Sequence, residues 1–159
     1  MDKLTYILLA ISLCFCASNY SYEINYLQAQ KMKLDSCFKI KHEVIDSVLL
    51  DCEKTINHLD STTINDYSLS AKQLSFYEKK QIFYDLFDEK SNRINQINNL
   101  QSDLLNGIIK TKQAKKYINK EDSLSKVFLH YVSEFEFNLQ HQINEYKKLK
   151  LQLDSIVNK

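Results

Sequence analysis

Between Glu121 and Lys159 the apolar residues fall at Leu124, Phe128, Tyr131, Phe135, Leu139, Ile143, Tyr146, Leu149, Leu153 and Ile156. Every step is three or four residues, so one face of a helix stays apolar along the whole stretch. No Gly or Pro interrupts it. A stripe that long is not stable alone in water and must lie against other helices.

The same spacing recurs twice upstream. From Tyr22 to Leu59 it runs through Leu27, Leu34, Cys37, Ile45, Val48, Cys52, Ile56 and Leu59, with Lys41 as a polar interruption. Ile24, Phe38, Ile40, Val44 and Leu49 widen this stripe, so the first helix is expected to touch more than one neighbour. A turn is expected at about 60–64, where Asp60-Ser61-Thr62-Thr63 breaks the pattern and Thr63 precedes Asp66 by three residues.

A second long helix, 65–106, is traced by Leu74, Tyr77, Phe83, Phe87, Ile94, Ile97, Leu100, Leu104 and Ile108. The aromatics of its first half, Phe76, Tyr77, Phe83 and Phe87, are expected in the core. Asn106-Gly107 is the expected stop, because Gly readily takes the left-handed conformation that ends helices. Residues 108–118 then make a short helix or connector. Asn119, with Asp122 three residues on, caps the final helix over 121–158.

Three segments of ~38 to 42 residues are each about 55 to 65 Å long at 1.5 Å per residue. Matched lengths and short connections suit an up-down-up arrangement. The expectation is an all-α, elongated antiparallel three-helix bundle, coiled-coil-like, forming one domain over 19–159.

Composition reinforces this reading. Among 159 residues there are one Gly, no Pro and no Trp, so the tight turns that strand-rich folds need are nearly unavailable. Formal charge is +1 with both signs interspersed, which argues against a nucleic-acid partner.

The N-terminus carries a different pattern. Leu4 to Ala17 is a nearly continuous apolar run after a weakly cationic start, the length of a signal-peptide core and short of the ~20 residues that span a bilayer. Cys16-Ala17-Ser18 suits a cut after residue 18. The alternative is an uncleaved membrane anchor reaching about residue 22, with Tyr20 and Tyr22 at the interface. Either reading places the rest of the chain outside the cytoplasm, periplasmic, secreted or anchored. Asn19-Tyr20-Ser21 forms a glycosylation sequon.

Candidate chemistry is sparse. His130 with Glu134, and His141 with Glu145, are i, i+4 pairs able to offer two ligands each to a metal. The pairs are ~16 Å apart along a helix axis, so they cannot share one ion, and solvated ion pairs are the simpler reading. No cofactor is expected.

On one continuous helix Cys37 and Cys52 lie ~22 Å apart. A disulfide needs Cα atoms within about 7 Å, so the two cannot bridge each other. Each is expected as a packed thiol or, alternatively, in an inter-chain bridge. Lys110, Lys112, Lys115, Lys116 and Lys120 cluster without an acid among them, a candidate contact for an anionic lipid headgroup, glycan or acidic partner, with a solvated lysine-rich bundle end as the simpler reading. With one Gly there is no phosphate-binding glycine loop, and no G-x-S-x-G elbow occurs.

The functional expectation is therefore a non-enzymatic exported protein that binds a protein partner or itself, as an interaction or structural component of the cell envelope or extracellular space. A single-span anchored coiled-coil protein of lysis- or division-type architecture is the alternative. A metal-binding helical protein is a third.

Overall fold

The computed structural model describes residues 20–60 and 67–157, and every element among them is helical. Helix α1 spans Ser21–Asp35, α2 His42–Asp60, α3 Tyr67–Leu105 and α4 Thr111–Val157. The expected signal peptide or anchor, the sequon at Asn19 and most of the turn at 60–64 lie outside the described residues. No described helix is long and apolar enough to cross a membrane.

Two expected boundaries are corrected. The first long helix (22–59) is two helices, separated by a non-helical segment at residues 36–41. Ser36 ends α1 locally: its Oγ donates to the carbonyl oxygen of Met32 at 2.9 Å. Phe38 and Ile40, two residues apart, then turn together onto the core, which continuous helix would not permit.

At the other end, the connector at 108–118 and the final helix are one 47-residue helix. Asn119 and Asp122 therefore lie inside α4 and cap nothing. The buried face simply continues through Ala114, Ile118, Ser125 and Phe128. The second helix ends within one residue of its expected stop. It ends at Gly107 (φ 67), where the Gly107 amide donates to Leu104 O (3.2 Å) and the Ile108 amide to Asp103 O (2.9 Å). This is the paired bond pattern of a helix closed by a left-handed glycine.

The chain divides into two compact units. Unit 1 joins α1 to residues 90–105 of α3 and 111–128 of α4. Its core is Leu27, Leu34, Ile97, Leu100, Leu104, Ala114, Ile118 and Phe128, with Arg93 over the Phe128 ring at 5.8 Å. Asp122 ties α4 to α1, accepting from the Tyr26 hydroxyl (2.7 Å) and Gln30 Nε2 (2.8 Å) and pairing with Lys126 (2.6 Å).

Unit 2 joins α2 to residues 67–89 of α3 and 129–157 of α4. Ile45, Leu49, Cys52, Leu69, Phe76, Phe83, Phe135, Leu139, Ile143, Tyr146 and Leu153 form its core. Phe76 meets Tyr146 edge-on at 6.0 Å, and Phe83 meets Phe135 at 6.3 Å. As α3 advances from 76 to 83, α4 retreats from 146 to 135, so the two run antiparallel here.

Several expected core residues are corrected. Tyr131 (60% exposed) gives way to Val132, while Leu74 (63%), Tyr77 (52%), Phe87 (44%) and Ile108 (68%) of the second stripe and Val44 (42%) of the first are exposed. Steps of three and four both fit a 3.6-residue period, and only the neighbouring helices decide between adjacent candidates.

Asp51 plays in unit 2 the part Asp122 plays in unit 1. It accepts from the Tyr146 hydroxyl (2.7 Å) and pairs with Lys150 (2.5 Å). Burial works to raise the Asp51 pKa, but the hydrogen bonds from Lys150 and Tyr146, with the charges of Lys150 and Lys54, hold it below its ordinary value. For Asp122 the bonds from Lys126 and Tyr26 lower it against a smaller opposing effect of burial.

A carboxyl depressed in the folded state adds stability that is present above its unfolded pKa and lost as pH falls through the folded value. Thermal midpoints should thus stay level down to about pH 5 and fall below about pH 4. An Asp51→Asn, Asp122→Asn double variant should show a shallower acid fall. An equally steep fall in that variant would show that other carboxylates are responsible.

Candidate functional site

The segment between α1 and α2 is held by a residue from the far end of the chain. Glu136 of α4 is buried, and its Oε1 accepts from the backbone amides of Lys39 (2.6 Å) and Ile40 (2.7 Å). These distances are typical of charge-assisted bonds. The two amides have left α1 and precede α2, so neither helix supplies them an acceptor. With the backbone pinned there, Phe38 lies against Phe83 (5.0 Å) and Phe87 (6.2 Å). Phe83 in turn contacts Tyr84, Phe87 and Phe135.

The outcome is a groove of ≈ 420 Å³ lined by aromatic and aliphatic groups, Phe38, Ile40, Phe83, Tyr84 and Phe87, and rimmed by Lys41, His42 and Glu43. Along α3 next to it, Leu74 (63%) and Tyr77 (52%) are exposed on the same side of the helix as Tyr84. Lys80 pairs with Asp46 of α2 at 2.6 Å. The arrangement can seat an apolar side chain between rim charges of both signs. His42 sits 3.5 Å from its neighbour Glu43 at the rim.

The sequence candidates are dispersed. His130 Nε2 and Glu134 Oε1 lie 3.4 Å apart, both side chains exposed. Glu145 turns instead to Lys148 (3.1 Å), and that bond, more than the charge of His141, lowers its pKa. Among the described residues no three His, Cys, Asp or Glu side chains converge as a metal site would require.

Cys52 is fully buried and packs as an apolar group, and burial pushes its thiol up to about 11. Cys37 is half-buried. The five lysines from Lys110 to Lys120 are all exposed, in unit 1.

Glu136 escaped the sequence reading. The available signal was an acid inside the apolar series Val132, Phe135, Glu136, Leu139, Ile143, at the spacing of the buried face. The groove had no such signal, because half of it is built by the break in the first helix. No known protein family, no curated protein and no solved structure matches the chain.

Proposed function

We propose that this chain is a non-enzymatic helical interaction protein, exported to the periplasm or beyond, and that it works by seating a helix of a second copy against the exposed face of α3 in unit 2. The observation that carries the reading is the exposure of Leu74, Tyr77, Tyr84 and Phe87 on one helix beside the aromatic groove. Aromatic residues of this kind concentrate at the centres of protein interfaces, where a flat hydrophobic ring contributes much area at little entropic cost.

Leu74, Tyr77 and Tyr84 follow the three- and seven-residue spacing of a coiled-coil seam. Glu78 and Asp85 lie beside it on the same side of the helix. An isologous contact would bring this one patch against itself about a two-fold axis. Export is supported by the apolar run at 4–17 and the small residues before position 19. An intact mass starting near Asn19 favours export, and an intact Met1 in the membrane fraction favours the anchored form.

Sedimentation equilibrium tests the interaction. The parent chain should be dimeric at about 100 μM, the range of a modest interface. Tyr84→Glu with Phe87→Glu should be monomeric with unchanged helical circular dichroism. A parent chain that stays monomeric there removes the self-association.

A further inference from the structure

The α3–α4 turn of unit 1 presents a combination that the α3 face at 74–87 does not. Leu105, the last residue of α3, is 66% exposed and Ile108, just past Gly107, is 68% exposed. Tyr117 follows at 45%. Residues 104–120 contain five lysines and no acid, and all five lysines are exposed. None of the five makes an ion pair among the described residues. The nearest acids in sequence are engaged or set back: Asp103 is half-buried, Glu121 is half-buried, and Asp122 is bound to Lys126, Tyr26 and Gln30.

We infer that this turn is a contact for an anionic lipid surface. Two exposed aliphatic side chains at a turn have no use to a soluble polyanion, whereas they can enter the boundary of a bilayer while lysines behind them meet the headgroups. The depths agree. Lys110 and Lys112 flank the start of α4, and Lys116 lies about 8 Å further along at 1.5 Å per residue. The polar layer of one leaflet is roughly 5 to 8 Å thick. Leu105 and Ile108 thus reach the hydrocarbon edge with Lys110 and Lys112 among the headgroups and Lys115 and Lys116 at their outer margin. Tyr117 has the amphipathic ring that favours this zone.

The mode of contact is a turn entering end-on. Ile118 is buried and Ile109 half-buried, its carbonyl accepting from the Tyr20 hydroxyl at 3.1 Å, so residues 108–118 present no apolar face on which a helix could lie flat.

Hydrogen exchange on the full chain reads the contact locally, whatever else attaches the chain to lipid. Amides of residues 104–112 should gain protection on phosphatidylcholine vesicles containing about one-third phosphatidylglycerol and none on phosphatidylcholine alone, with the effect weakened by salt. Lys112→Gln with Lys116→Gln should weaken the response about 25-fold, at roughly fivefold per lysine. Leu105→Ser with Ile108→Ser should remove it while circular dichroism stays as in the parent. Equal protection on both vesicle types, or none on either, overturns the inference. So does equal protection by soluble heparin that survives in the Leu105→Ser, Ile108→Ser variant, which would identify a polyanion site instead.

Discussion

Leu139→Asp should abolish cooperative thermal unfolding. Leu139 is fully buried at the centre of the unit 2 core, among side chains from α2, α3 and α4. Removing a buried leucine side chain costs about 2 to 5 kcal/mol. Introducing a carboxylate with no partner adds several more, or forces it to stay protonated. Against a total of about 5 to 15 kcal/mol for a domain, the sum leaves little or no folded population. Phe137→Asp is the matched control. Phe137 is 76% exposed two residues away, and its replacement should shift stability by no more than about 0.5 kcal/mol. Circular dichroism melts of both variants decide the matter, and similar melting of the two would show that the core is placed on the wrong face of α4.

Glu136→Ala should cost about 3 kcal/mol, with Glu136→Gln near half that, because two backbone amides lose an ionised acceptor. The effect is local before it is global. Amide exchange at Lys39 and Ile40 should speed up far more than exchange in the middle of α3. Phe38 and Ile40 are then no longer fixed, so the groove at Phe83 and Phe87 should open or collapse with them. Unchanged exchange at Lys39 and Ile40 in Glu136→Ala would show that the carboxylate does not hold the break. Urea titration of the three proteins gives the ranking Glu, Gln, Ala.

Much of the architecture could be read from spacing alone. The C-terminal end of α3 lies within one residue of the expected stop because the chain's single glycine, Gly107, takes a positive φ there. The buried face of α4 from Phe128 to Leu153 also followed from steps of three and four. Tyr131 failed because Val132 fits the same period, and which of two adjacent apolar residues turns inward depends on what lies opposite. Phe76 and Tyr77 pose the same choice.

The break at 36–41 was illegible for another reason. It contains neither Gly nor Pro, and the group that satisfies its amides is 97 residues away from Lys39. Lys41, a charge in an otherwise apolar series, was its one local trace. The candidate groove shares that fate, since Phe38 and Ile40 belong to the break. The lysine cluster, in contrast, was plain in the sequence, and the structure added the two bare aliphatic residues beside it.

A ribosome delivers the chain from the N-terminus, and this sets an order of events. The Lys39 and Ile40 amides emerge 97 and 96 residues ahead of the oxygen they need. At about 5 to 20 residues per second, that gap is roughly 5 to 20 seconds of synthesis. Throughout it the junction between α1 and α2 lacks the acceptor that fixes its two amides, so that segment can take its native shape only after Glu136 has been made.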